Sequence, residues 1–226
     1  MLANLIGTLI GAILSILTTM LIEKQRRPKL SLSIESPPAD LLFSGGSKGR
    51  VLRIFLSNSP LPKKLNWISR DVALQCFGEI CFYHASDGTA YFSKPMPIRW
   101  TGSEEPFTDQ ILGGTTVHLF DISKYHAAFK RDCFPGIPEA IDVVGRFDND
   151  VDCYGYSNDS YLPGKNLRND DWKLPPGRYL ITVRIYTAGE SILDAYKLEN
   201  LGNRVDFRLL KANKEDKEKL GLLPKK

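Results

Sequence analysis

The sequence predicts an all-β domain carried behind one N-terminal transmembrane helix. Three observations predict it. Leu2 to Ile22 is a run of 21 residues without a charge. Between Leu30 and Leu209, apolar residues recur at every second position in short runs, which is the period of half-buried strands. Pro, Gly and Asp-Gly signals separate those runs, and few stretches keep a helical period.

The first element is the apolar run. Eleven of its residues are Leu or Ile, and together they favour insertion by roughly 5 kcal/mol. At ~1.5 Å per residue the run spans about 31 Å, one crossing of a hydrocarbon core with little tilt. A cleaved signal peptide needs a basic stretch ahead of the apolar run and small residues at a cleavage site. Neither is found here, since the run ends Thr18-Thr19-Met20-Leu21-Ile22. The expectation is an uncleaved anchor over residues 1 to 22, with the lipid bilayer as its partner.

The flank from 23 to 29 carries Lys24, Arg26, Arg27 and Lys29. Basic flanks stay on the cytoplasmic side, so the N-terminus is expected outside the cell membrane and the body inside. Within the span, Ala3, Gly7, Gly11, Ser15 and Thr19 recur every fourth residue, a stripe of small side chains that suits a homodimer of helices.

The remaining length fits one domain, residues 30 to 210, followed by a charged tail from 211 to 226. Flank and tail each carry +3, so the net +4 of the whole chain leaves the body at −2. Such a body lacks the clustered basic face that phosphate backbones need, which argues against nucleic acid. Cys76, Cys81, Cys133 and Cys153 show no metal or redox spacing and read as reduced cytoplasmic thiols.

Strands follow in order. Leu30, Leu32 and Ile34 share one face, and Pro37 and Pro38 stop the run. Ser44 to Gly49 is a turn before a second strand with Leu52, Ile54 and Leu56 on one side. Asp71 to Tyr83 is a long strand in which Gly78 is expected to bend or bulge and Cys76 and Cys81 to point apart. Asp87-Gly88 turns the chain back through Thr89 to Phe92. Met96 to Trp100 and Thr115 to Ile122 are shorter candidates. From Ser123 to Leu174 the regular pattern fails for about 50 residues, too long for an ordinary connection, so short elements or a functional excursion are expected there. Tyr179, Ile181, Val183 and Ile185 then form a strand, Ser191 to Leu198 another, and Val205, Phe207 and Leu209 a last one. The tail reads as a frayed helix or disordered segment.

Seven or more short strands, with Leu174-Pro175-Pro176-Gly177-Arg178-Tyr179 leading into a late one, resemble an immunoglobulin-like β-sandwich. The layout is similar to prokaryotic single-pass membrane proteins bearing such a domain, a group without an assigned function. The resemblance is at the level of the fold and spans about residues 29 to 210; the Cys and Trp pattern of antibody domains is missing. It implies that the tyrosine hydroxyl ties down the preceding turn. It also implies that the excursion and the tail lie at the end of the sandwich away from the anchor.

Motifs of chemistry are few. Gly45-Gly46-Ser47-Lys48-Gly49 has the spacing of a serine-hydrolase elbow, but a strand follows where a helix is required. Asp148, Asp150, Asp152 and Asp159 fall at calcium-loop positions one, three, five and twelve, while Cys153 occupies the position that needs glycine. His84, His118 and His126 form no ligand spacing with the cysteines. His126 with Cys133 is the remaining thiol and base pair. The expected function is therefore a non-enzymatic interaction or scaffold module without a cofactor, meeting an unknown cytoplasmic protein through Asp150, Tyr154 and Tyr156. The rival is an enzyme or ion sensor with its site in the 123 to 174 excursion.

Overall fold

In the computed structural model, residues 2–42, 48–65, 67–163, 168–203 and 205–224 are described, the first four of them by backbone alone. Ser44 to Ser47 of the predicted turn and elbow, and the side chain of Ala3, lie outside the described residues. Helix α1 (Leu2–Arg26) continues four residues beyond the apolar run. From Ile6 to Leu21 every residue is exposed, so the fold covers none of this apolar surface.

The chain then runs through β1 (Leu30–Ile34), β2 (Ala39–Leu42), β3 (Lys48–Asn58) and β4 (Ala73–His84). Two short strands, β5 (Met96–Pro97) and β6 (Arg99–Trp100), precede a hairpin of β7 (Phe107–Leu112) and β8 (Thr115–Phe120). A six-residue helix α2 (Ile122–Ala127) follows, then β9 (Arg131–Cys133), β10 (Glu139–Phe147), β11 (Cys153–Gly155) and β12 (Lys173–Leu174). The last elements are β13 (Gly177–Tyr186), β14 (Ser191–Asn200), β15 (Phe207–Lys211) and α3 (Lys214–Lys219).

Two antiparallel sheets face one another in a sandwich. One has the order β1-β3-β10-β11-β12, with β2 on β3 and β6 on β10. The other has the order β15-β14-β13-β4-β5, with β9 on β4. Alternation decides which side chains meet: Leu52, Ile54 and Leu56 of β3 face Ile80 and Phe82 of β4 and Ile181, Val183 and Ile185 of β13 in one core cluster. Trp100 and Trp172 are buried in the same cluster. At the start of β13, the Tyr179 hydroxyl donates to Pro175 O at 2.8 Å, tying down the preceding turn as expected. The ring lies against Gly177.

Several expectations are corrected. The excursion contains α2, β9, β10 and β11, of which β10 is longer than the short elements expected and pairs with β3 over almost the whole strand. A bulge at Val143 breaks the register between Asp142 and Val144, and the strand is buried on both faces, so no alternation survives in its sequence. Gly78 is in register with Ile185; the bulge of β4 comes earlier, between Ala73 and Cys76, where Gln75 takes a φ of 50°. Gly78 is instead a close approach, since a Cβ there would clash with Arg184 O. The turn at Asp87-Gly88 forms, with Gly88 at φ 75°, but Thr89 to Phe92 returns through a single bridge at Ala90.

The tail is folded. Asn213 and Asp216 cap α3 reciprocally, Asp216 is buried, and Lys217 and Lys219 reach Asp194 and Ala85 O of the second sheet. Ile122, predicted within a strand, opens α2, whose N-cap is Asp121.

Candidate functional site

Two places gather polar and aromatic chemistry, and they differ in access to solvent. The first is the joint between α1 and the sandwich. Asp71 N donates to Arg26 O at 2.7 Å, and the Arg26 guanidinium returns to Asp71 Oδ1 at 2.9 Å. Arg70 donates to Arg27 O, and Ser59 N to Lys29 O at 2.9 Å. Asn58, 1% exposed, closes the arrangement: its Oδ1 accepts from Lys29 N, and its Nδ2 donates to Asp71 O and Cys133 O. Its own carbonyl accepts from Gly136 N. One side chain thus ties together the helix exit, the segment from 59 to 72 and the segment from 133 to 136. Its signal in the sequence is a polar residue at the inward position that Leu52, Ile54 and Leu56 establish.

That arrangement also corrects the placement of the excursion. The segment from Cys133 to Gly136 lies at the end that receives α1, and β10 then carries the chain away toward Gly49, the far end of β3.

The second place is a seam on the outer face of the first sheet. Asp142 accepts from Arg53 Nε at 2.7 Å and Thr101 Oγ1 at 2.8 Å, and Glu35 stands 4.0 Å from Arg53. Burial is the main influence pushing the Glu35 carboxyl upward, with Arg53 opposing it. Arg99, 3% exposed, donates to Asn158 Oδ1 and Ser103 O and lies over the rings of Tyr156 and Tyr161 at 5.7 and 5.4 Å. The Tyr156 and Tyr161 hydroxyls are 3.2 Å apart, and desolvation pushes both phenols upward, so they stay protonated. Beyond them, Tyr125 donates to Asp159 at 2.7 Å and Asn158 to Tyr125 O. Most of the charges are held and paired here, while Glu35 and Arg53 also line a cavity with Ile34, Arg50 and Leu209. Sequence reasoning missed Arg53, Arg99 and Asp142, which carried no spacing signal.

The structure separates the predicted calcium ligands. Asp150 is paired with Arg168 at 2.7 Å, Asp152 with Lys173 at 3.0 Å and Asp159 with Tyr125, while Asp148 continues the pairing of β10 through its N–H to Lys48 O. Among the described residues no group of three His, Cys, Asp or Glu side chains is placed to hold a metal. Tyr154 and Tyr156 are 7% and 8% exposed, because β11 turns them into the fold; with Asp150 paired to Arg168, the expected partner surface is not presented. Cys133 is buried and its thiol is pushed up to about 11, chiefly by desolvation, whereas His126 is exposed on α2, so the thiol and base reading fails. Cys76 is buried and Cys81 half-buried, as their parity requires.

In the helix, Gly7 and Gly11 face open space, and Thr19 Oγ1 donates to Ser15 O. Compared with protein-family models, with curated proteins and with solved structures, the chain matches none.

Proposed function

We propose that this chain is a single-pass membrane protein that holds an immunoglobulin-like sandwich at the cytoplasmic face as a non-enzymatic interaction module. The observation that carries the proposal is the joint. A helix apolar on every side and covered by no protein requires another apolar medium. Its exit is keyed into the sandwich through Asn58 and Asp71 rather than joined by a linker, which favours a permanent anchor over a removable leader. Orientation has added support. The segment between Ser59 and Asp71 is tied to the helix exit at both ends, and it brings Lys63, Lys64 and Arg70 to the four flank cations. The immunoglobulin-like reading rests on β1-β3-β10 facing β14-β13-β4 and on the Tyr179 tie.

A binding role, rather than a reaction, follows from the surface. The charges of the seam are engaged with one another, and the β7–β8 hairpin exposes Ile111, Leu112, Leu119 and Phe120. That hairpin takes the place of Asp150, Tyr154 and Tyr156 as the surface offered to a cytoplasmic protein. The stripe of Ala3, Gly7, Gly11, Ser15 and Thr19 offers a second copy of the chain its own contact within the bilayer.

The test is topology. In sealed, right-side-out vesicles, a tag after Lys226 should be protected from protease and the chain should resist alkaline extraction. Digestion of the tag in intact vesicles would reverse the orientation. Loss of the chain on extraction would remove the anchor.

A further inference from the structure

We infer that the anchor end of the sandwich lies on the bilayer itself, as a lipid-docking face that surrounds the helix exit; this rests on the anchored reading. The two segments flanking the exit are neighbours: Gly136 N donates to Asn58 O, and a Cβ on Gly136 would stand 4.0 Å from Pro60. Each presents large apolar groups to solvent. Trp67 is 67% exposed on one, and Phe134 and Ile137 are 49% and 57% exposed on the other, held by a turn in which Ile137 N donates to Phe134 O. Exposed Trp, Phe and Ile on adjoining segments are costly in water and favoured at the boundary between head groups and acyl chains.

Charge selects the same occupant. Lys24, Arg27, Lys29, Lys63 and Lys64 are exposed at this end. The carboxylates facing them are fewer: Glu23 lies 3.7 Å from Arg26, Asp71 is held by Arg26, Asp132 accepts from Gln75 N, and Glu190 stands in the neighbouring loop. The balance is cationic and matches an anionic leaflet. Because α1 places this end beside any membrane it crosses, no diffusional encounter is needed. Docking is an intramolecular step at high effective concentration.

Tryptophan fluorescence tests it cleanly, since Trp100 and Trp172 are buried at 0% and 1% and Trp67 alone is exposed. The full chain is reconstituted into phosphatidylcholine vesicles with and without phosphatidylserine. Each set carries phospholipid bearing a nitroxide near the head group. The quenched component should be strong with the anionic lipid and absent in Trp67→Phe, whose conservative change leaves the fold intact. Lys63→Gln and Lys64→Gln should each lower the docked-to-free ratio roughly fivefold. Quenching of Trp67 by aqueous iodide but not by the nitroxide lipid overturns docking while alkaline resistance keeps the anchor. Protection from both quenchers overturns it in favour of a protein-covered face, such as a second copy. Release by alkali removes anchor and docking together.

Discussion

The seam and the anchor end are built from the same kinds of side chain and treat them in opposite ways. In the seam, Arg53, Arg99, Tyr156 and Tyr161 are turned inward, and each cation meets a carboxylate, a carbonyl or a ring face. At the anchor end, Lys63, Lys64, Trp67 and Phe134 are turned out, beside a helix that no protein covers. Groups satisfied inside the fold explain stability; groups left exposed call for something outside it. Function is therefore to be sought where satisfaction is missing, and not where the polar residues are densest.

The sharpest way to break this comparison is to cut the seam. Asp142→Ala removes the carboxylate that holds Arg53 and neighbours Arg99 at 4.0 Å, leaving Arg53 with Glu35 at 4.0 Å and Arg99 with neutral partners alone. The expected loss is about 3–5 kcal/mol, a large share of the stability of a domain this size. Thermal denaturation of the full chain in detergent measures it. Trp67→Ser at the anchor end should change the midpoint little, by about 0.5 kcal/mol or less. Equal effects at the two places would end the distinction.

Next in size is the joint. Asn58→Ala leaves Lys29 N, Asp71 O and Cys133 O without their partner in a buried position. A cost of about 1–3 kcal/mol is expected. Proteolysis between residues 26 and 30 should accelerate more than cleavage elsewhere, because the loss is local to the helix exit. Uniform acceleration would show that Asn58 stabilises the sandwich as a whole and does not key the helix to it.

How much of this was legible follows from burial. The strands of the second sheet were readable because each has one face inward: Tyr179, Ile181, Val183 and Ile185 point to the core, while Arg184 and Tyr186 point out. The Tyr179 tie was readable for the same reason. β10 was not, since Glu139 to Phe147 is covered on both sides and shifted by a bulge, so its pattern carries neither period. The tail misled through composition: its charges are spent on the caps of α3 and on ion pairs to Asp194 and Lys197. Tyr154 and Tyr156 looked like surface residues because their neighbours are acidic, yet those acids are paired with Arg168 and Lys173 from elsewhere in the chain. Partners distant in sequence leave no local signal.

Smaller effects refine the picture inside the sandwich. Tyr179→Phe removes only the hydroxyl that donates to Pro175 O, so about 1 kcal/mol should be lost while the ring still fills its place against Gly177. Hydrogen exchange at residues 175 to 178 should rise. Around neutral pH the thiols should add no pH dependence to stability, because Cys76 and Cys133 are pushed up to about 11 chiefly by burial. Their raised values give a stability contribution that is complete below the ordinary thiol value of 9.0 and lost as pH rises through about 11. In the folded chain at pH 8, an alkylating reagent should label Cys81 before Cys76, Cys133 or Cys153.

The smallest effect expected belongs to the most visible ion pair of the joint. Arg26 and Asp71 meet at 2.9 Å, but their side chains are 40% and 42% exposed, so water and salt screen them. Arg26→Ala should cost well under about 1 kcal/mol, and less still in high salt. The hydrogen bond from Asp71 N to Arg26 O does not involve the side chain and survives the substitution, as do the contacts of Asn58 with Lys29 N and Asp71 O. Held against Asn58→Ala in the same assay, the difference separates two ways of fixing a helix to a domain: buried amide bonding, or charge at the surface. A loss from Arg26→Ala equal to that from Asn58→Ala, and abolished by salt, would assign the joint to charge. The anchor would then be free to pivot on the sandwich whenever lipid head groups competed for Arg26.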